Sequence, residues 1–116
     1  MERHFSSDDV DFVYQLRTAL SPALPYGPTL IPLDIMVAVI QASRDASPMT
    51  MKRLYEALPY SVTGIRYNLN QLIEDGWLSK ARHQKDRRIV NLMPTADGES
   101  ALTEVYKRLS DCRRRQ

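Results

Sequence analysis

Apolar residues recur at helical spacing in several segments, and breaks rich in proline, glycine or polar residues separate these segments. Segment 8–21 has apolar residues at positions i, i+3 and i+7, which predicts an amphipathic helix. Segment 21–33 is rich in proline and glycine and predicts an irregular connection inside one domain. Segment 32–42 is apolar on most faces, which is typical of a helix at the centre of a fold.

The next two predicted helices are separated by one short turn. Segment 51–58 follows Thr50, whose hydroxyl suits the N-cap position of a helix. Segment 61–75 begins at Ser61, another natural N-cap, and Gly76 stops it. Two helices joined by a turn of about three residues predict a helix-turn-helix.

The remaining part of the chain combines short β segments with a final helix. Segments 77–83 and 88–93 carry β-branched and apolar residues on either side of a polar turn, which predicts a hairpin. A final helix is predicted from Ala96 to about Asp111, because its apolar residues again form one stripe. The sequence therefore predicts a mainly α fold with a small β-hairpin, a winged helix-turn-helix with flanking N- and C-terminal helices.

The length of the chain limits this fold to one domain. With 116 residues, the chain can bury a single modest core but not two. We therefore expect one winged-helix domain over 1–116, with an N-terminal helix at 8–21, a winged-helix core at 32–93 and a C-terminal helix at 94–112.

The composition argues against several classes of function. The lone Cys112 excludes an internal disulfide and any metal cluster built on cysteines. No carboxylates or histidines have the spacing of metal ligands, and no nucleophile, base and acid form a catalytic set. We therefore expect neither an enzyme nor a bound cofactor or metal. Because the sequence has no apolar run of membrane-spanning length and no secretory signal, we expect a cytoplasmic protein.

The net charge of +2 is small, but the basic residues are unevenly distributed. The predicted hairpin holds one acid, Asp86, among the basic residues Lys80, Arg82, Lys85, Arg87 and Arg88. A basic patch on an otherwise balanced chain suits a polyanion such as DNA. An acid in such a cluster can pair with one arginine and hold the turn, so that another arginine faces the partner. The wing, 78–93, would then contact the DNA backbone or the minor groove.

The predicted helix 61–75 has one apolar and one polar face. Ile65, Leu69, Leu72 and Ile73 share the apolar face, and Thr63, Arg66, Tyr67 and Asn70 share the opposite one. An arginine can bind guanine and an asparagine can bind adenine through paired hydrogen bonds, while threonine and tyrosine suit phosphates or thymine methyls. Next to a basic hairpin, this polar face predicts a recognition helix in the major groove of duplex DNA, with Ser61 also among the DNA-contacting residues.

Residues 51–98 resemble the winged-helix core of the MarR family of bacterial transcription regulators. The resemblance rests on Leu54, Ser61, Ile65 and Leu69, on the run LIEDGWL at 72–78, on Lys85-Asp86-Arg87-Arg88, and on Pro94-Thr95-Ala96-Asp97-Gly98. It implies sequence-specific DNA binding, a wing stabilised through Asp86, and a DNA-contacting arginine at Arg87 or Arg88. Family members usually have two helices after the wing, whereas this chain has room for one.

The two flanking helices carry apolar stripes that a small core does not fully cover, so we expect a homodimer. The candidate interface residues are Phe12, Leu16, Leu20, Leu102, Val105 and Leu109. In a two-fold dimer, the recognition helices would lie about 34 Å apart, which is one turn of DNA. The alternative is that these helices pack only on their own core. A small-molecule effector has no support in the sequence.

One other function fits the same pattern. A winged helix can use its recognition surface or its wing to bind a protein, without sequence-specific DNA binding. The acidic Glu74 and Asp75 beside the polar face of 61–75 lend slight support to this alternative. The sequence therefore predicts a DNA partner, with a protein partner as the alternative.

Overall fold

The computed structural model describes residues 11–12, 14–16 and 29–114 of the chain. Residues 11–12 and 14–16 are helical, inside the segment where the first helix is predicted, whereas Leu20 lies outside the described residues. The elements that follow are α1 (Ile31–Arg44), β1 (Met49–Thr50), α2 (Met51–Ala57), α3 (Val62–Glu74), β2 (Leu78–Arg82), β3 (Val90–Pro94) and α4 (Ala96–Arg114).

The three strands form one antiparallel sheet in the order β1-β3-β2. Strands β2 and β3 are the predicted hairpin, with Leu78 opposite Pro94. Strand β1, which the sequence analysis did not predict, pairs with the other edge of β3 and places Met49 opposite Leu92. The helix-turn-helix α2–α3 and the hairpin confirm the predicted winged-helix fold.

Helix α1 lies at the centre of the molecule and contacts α3, α4, β1 and β3. Pro32 in its first turn suits a helix start, because the missing N–H has no intrahelical partner there. The apolar side of α3 packs into the same core as α1 and the sheet. The principal buried residues are Ile35, Met36, Val39, Ile40, Leu54, Ile65, Leu69, Leu72, Leu78 and Leu92. This core fixes which face of α3 is turned outward.

The chain between α3 and α4 is held by Thr95. Its hydroxyl oxygen lies 2.6 Å from the carbonyl oxygen of Gly76 and 3.0 Å from that of Trp77, and it accepts the backbone N–H of Gly98 at 3.0 Å. A Cβ at Gly98 would lie only 2.1 Å from the Trp77 carbonyl oxygen. Gly76 has a φ of +82°, the left-handed conformation that ends many helices. The start of α4 is therefore fixed against the residues that leave α3.

The apolar residues of α4 differ in how much surface they leave open. Val105 is 3% exposed and Leu102 packs against the core, so both already contact their own chain. Val105, a predicted interface residue, therefore has almost no surface left for a second copy. A cavity of about 230 Å³ lies between the C-terminal half of α4 and the N-terminal helical segment. It is lined by Tyr106, Leu109 and Ser110 of α4 and by Phe12 and Leu16 of the N-terminal segment.

Candidate nucleic-acid interface

The outward face of α3 is polar and unoccupied by other parts of the described chain. Thr63, Arg66, Tyr67 and Asn70 are exposed, whereas Ile65, Leu69 and Leu72 are buried on the opposite side. Within the described ranges, the side chains of Arg66, Tyr67 and Asn70 form no hydrogen bond or ion pair. Their donors and acceptors are therefore available to a binding partner.

Two hydrogen bonds fix the start of α3. The Ser61 hydroxyl accepts the backbone N–H of Gly64 at 3.0 Å, as an N-cap does. One residue earlier, the Tyr60 hydroxyl donates to Oδ2 of Asp34, on α1, at 2.5 Å. This hydrogen bond to Asp34, together with burial, raises the pKa of Tyr60 above its ordinary value of 10.0. The recognition helix is thus tied directly to the central helix.

The loop of the wing, 83–89, is closed by its first residue. The Nδ1 atom of His83 accepts the backbone N–H of Lys85 at 3.1 Å and that of Asp86 at 3.3 Å. The backbone N–H of His83 donates to the carbonyl oxygen of Ile89 at 2.8 Å. The side chain and the backbone of His83 therefore both bind this loop.

Two arginines hold the far side of the same loop. Asp86 accepts hydrogen bonds from Nε and Nη2 of Arg88 at 3.1 and 3.2 Å, and from the backbone N–H of Arg88 at 3.1 Å. These bonds, side chain first and backbone second, lower the pKa of Asp86 below its ordinary value of 3.8. On the other strand, Nη1 of Arg82 donates to the carbonyl oxygen of Arg87 at 2.8 Å.

These contacts divide the predicted DNA-contacting cations into two groups. Arg88 pairs with Asp86, as the sequence analysis expected of one wing arginine, whereas the bond from Arg82 to the Arg87 carbonyl was not predicted. The side chains of Lys80, Lys85 and Arg87 are exposed and make no hydrogen bond or ion pair with the described part of the chain. In the described part of the chain, the wing therefore presents three unpaired cations, and internal hydrogen bonds fix the conformation of its loop.

Two residues of this surface were missed by the sequence analysis. His83 was given no role, because turns closed by a side chain are usually built on asparagine, aspartate, serine or threonine. Val62, the first residue of α3, is 47% exposed beside Thr63. It continues the apolar stripe toward the start of the helix, three residues before Ile65 and seven before Leu69, and this spacing was the available signal.

The described residues contain neither a candidate metal-binding group nor a helix that could span a membrane. In the ranges 11–12, 14–16 and 29–114, no group of three or more histidine, cysteine, aspartate or glutamate side chains could hold a metal ion. No helix in these ranges is long and apolar enough to cross a membrane. The features that the surface does offer are hydrogen-bonding groups and positive charge.

Comparison with known proteins identifies the fold. No protein-family model matches the chain, and no curated protein sequence matches it either. Among solved structures, the transcriptional regulator Tm0710 from Thermotoga maritima is 21% identical, with a TM-score of 0.66 over 88% of this chain and 70% of Tm0710.

Two similar structures contain DNA. A MarR mutant from E. coli complexed with operator DNA is 18% identical, with a TM-score of 0.66 over 92% of this chain and 72% of MarR. A MepR mutant from S. aureus bound to an oligodeoxyribonucleotide is 11% identical, with a TM-score of 0.76 over 96% of this chain and 81% of MepR. The chain therefore has the winged helix-turn-helix fold of the MarR-type transcriptional regulators.

Proposed function

We propose that this protein is a transcription regulator that binds duplex DNA sequence-specifically, with α3 in the major groove and the wing on the backbone or in the minor groove. The observation that carries the proposal is the outward face of α3, whose hydrogen-bonding side chains have no partner among the described residues, on a helix that packs against strand β2 of the wing. Such a role implies a location in the cytoplasm of a bacterial cell.

The dimensions and chemistry of α3 suit the major groove. An α-helix with its side chains is about 10–12 Å wide, and the major groove of B-DNA is about 12 Å wide. Arg66 can donate paired hydrogen bonds to guanine, and Asn70 can donate to and accept from adenine. Because the bonds of Ser61 and Tyr60 fix the start of α3, the helix that carries these side chains is held in position before DNA binds.

The wing supports the same proposal through Arg87. Asp86 binds Arg88, Arg82 binds the carbonyl oxygen of Arg87, and the Arg87 guanidinium has no partner in the described part of the chain. A guanidinium at the tip of a thin β-ribbon can contact phosphates or enter a narrow minor groove, where the negative potential attracts arginine. The similar MarR and MepR structures that contain DNA favour this partner over a protein.

A homodimer is part of the proposal. Phe12, Leu16 and Leu109 are only half-buried in the single chain, and Tyr106 is 63% exposed beside them. Packing of these residues against a second copy would remove apolar surface from water. Two copies related by a two-fold axis would present two α3 helices to successive major grooves, about 34 Å apart.

Selection of bound sequences from a pool of random duplexes tests the proposal. We expect one enriched motif with two related half-sites, and an affinity for that duplex that falls steeply as salt rises, by about 0.9 logarithmic units per tenfold of salt for each phosphate contacted. Failure to bind any duplex at 50 mM salt would contradict the proposal and favour the protein-binding alternative.

A further inference from the structure

A short series of hydrogen bonds joins the end of α3 to the start of α4. The backbone N–H of Trp77 donates to the carbonyl oxygen of Leu72 at 2.9 Å and so closes the last turn of α3. The backbone N–H of Thr95 donates to the carbonyl oxygen of Trp77 at 3.2 Å, and its hydroxyl oxygen lies 2.6 Å from the carbonyl oxygen of Gly76. The same hydroxyl accepts the backbone N–H of Gly98, in the first turn of α4, at 3.0 Å. We call these bonds of Thr95 the Thr95 clip.

The Thr95 hydroxyl can serve both helices at once, because a hydroxyl has one proton to donate and lone pairs to accept. It donates toward the end of α3, and it accepts from α4 as an N-cap does. The Thr50 hydroxyl, by contrast, accepts the backbone N–H of Arg53, three residues later at the start of α2. The residue that caps α4 therefore also bonds to a residue 19 positions earlier in the chain.

The helix that starts at this clip carries proposed dimer contacts toward its other end. Helix α4 is continuous from Ala96 to Arg114, and Tyr106 and Leu109 line the cavity beside the N-terminal segment. At a rise of about 1.5 Å per residue, Leu109 lies about 21 Å along the helix from Thr95. A tilt of about 10° at the clip would move Leu109 by about 3.5 Å, close to the rise of about 3.4 Å per base pair of DNA. Small changes of angle at the clip would therefore change the separation of the two recognition helices by about one base pair.

Apolar contacts also hold α4, since Leu102 packs against the core and Val105 is buried. Apolar contacts have no preferred direction, whereas hydrogen bonds weaken steeply as they bend. We infer that the Thr95 clip fixes the angle between α3 and α4, and thereby the spacing of the two half-sites that the homodimer accepts. Thr95 is then a positioning residue, which acts on the choice of DNA site through α3 and α4. This inference rests on the proposed function and adds to it what determines the half-site spacing.

Duplexes with an altered spacing test the inference. In the duplex selected from the random pool, one base pair is added or removed between the half-sites, and affinities are measured by fluorescence anisotropy at constant salt. A rigid dimer can bind the altered duplexes only by deforming the DNA, so wild type should bind them at least about tenfold more weakly. In Thr95→Ala, α4 can change its angle instead, and this loss should fall below about threefold. Thr95→Ser keeps the hydroxyl and should retain the wild-type loss.

Two further variants separate spacing from stability. Thr50→Ala removes the cap of α2 and should lower the melting temperature about as much as Thr95→Ala, yet it should keep the wild-type spacing preference because its bond is local. Thr95→Asp keeps an acceptor for the Gly98 N–H but has no proton for the Gly76 carbonyl oxygen. It should therefore relax the spacing preference while α4 stays capped, and it replaces Thr95→Ala if that variant does not fold.

The outcomes separate this inference from the proposed function. Absence of binding to any duplex would overturn both, and a selected motif with a single half-site would overturn the homodimer and the inference but not DNA binding. Equal affinity of wild type for all spacings, or an unchanged preference in Thr95→Ala and Thr95→Asp, would overturn the inference alone. Loss of the preference in Thr50→Ala or in Thr95→Ser would also overturn it. A preference that Thr95→Ala relaxes and Thr95→Ser retains would support it.

Discussion

The hydroxyl of Tyr60 donates a hydrogen bond of 2.5 Å to the carboxylate of Asp34 and joins the turn of the helix-turn-helix to the central helix. Both residues are half-buried. The bond therefore links the position of the recognition helix to the core, because Asp34 belongs to α1 and Tyr60 lies just before Ser61.

Replacement of Tyr60 by phenylalanine should lower the free energy of unfolding by about 1–3 kcal/mol, because the half-buried carboxylate of Asp34 loses its donor. Chemical denaturation measures the change. Tyr67→Phe is the matched control, since the exposed Tyr67 hydroxyl has no partner among the described residues, and it should leave stability unchanged. Equal stability of the two variants would show that the Tyr60 bond contributes nothing.

The same bond predicts a dependence of stability on alkaline pH. The pKa of Tyr60 is raised above its ordinary value of 10.0, so above that pH the unfolded chain loses the proton more readily than the folded one. The contribution of the bond is therefore complete below pH 10.0 and is lost as the pH rises through the folded pKa. Unfolding curves should show a steeper decline for wild type than for Tyr60→Phe above this pH, and parallel curves would contradict the assignment.

The wing predicts a different effect at acidic pH. Hydrogen bonds from Arg88 hold the pKa of Asp86 below 3.8, so the pairing is present above this pH and is lost as the pH falls through the folded pKa. In Arg88→Ala, the pKa of Asp86 should rise toward 3.8, as followed by NMR titration of its carboxyl carbon. Arg87→Ala removes the neighbouring arginine and should leave the Asp86 titration as in wild type.

Arg87→Ala should instead weaken DNA binding. Loss of one phosphate contact should reduce the slope of log affinity against log salt by about 0.9 and leave the melting temperature unchanged. Arg108→Ala removes the same charge from α4, outside the proposed interface, and should leave the slope unchanged. If Arg87→Ala lowers the melting temperature, Arg87 has a structural role and the assignment is wrong.

Replacement of Gly76, just after α3, and of Gly98, in the first turn of α4, by alanine should lower stability by different amounts. Gly98→Ala should destabilise the fold by about 3 kcal/mol, because its Cβ would overlap the Trp77 carbonyl, which cannot move without displacing the backbone. At Gly76 nothing lies within 4 Å of an added Cβ, so Gly76→Ala should cost only the strain of its positive φ, about 1–2 kcal/mol. Thermal unfolding of both variants compares the two costs, and a smaller loss at Gly98 would contradict the overlap.

The sequence predicted the helix boundaries well because the signals that set them are local. Thr50 and Ser61 cap the helices that follow them through hydrogen bonds within four residues, and Gly76 ends α3 by its own conformation. Strand β1 has no such signal. It consists of Met49 and Thr50, too short for any periodicity, and it forms only because Leu92 and its neighbour approach from much later in the chain.

The roles of the wing arginines also could not be assigned from spacing. Arg82, Arg87 and Arg88 are identical side chains in one basic segment, so the sequence does not show which of them bind the wing and which face a partner. Only the path of the loop brings the Arg88 side chain to both oxygens of Asp86 and the Arg82 side chain to a backbone carbonyl. The burial of Val105 likewise depends on how α4 packs against the rest of the chain, which an apolar stripe alone does not determine.

Among the described residues, strand β2 is an outer strand of the sheet, and no described strand lies beside the edge that faces away from β3. An open strand edge can pair with strands of other molecules and begin aggregation, and charged side chains oppose such pairing. All residues of β2 after Leu78 are exposed, and Lys80 and Arg82 are among them. The cations of this strand therefore also protect the protein from self-association, and their joint replacement by apolar residues would reduce solubility as well as any affinity for DNA.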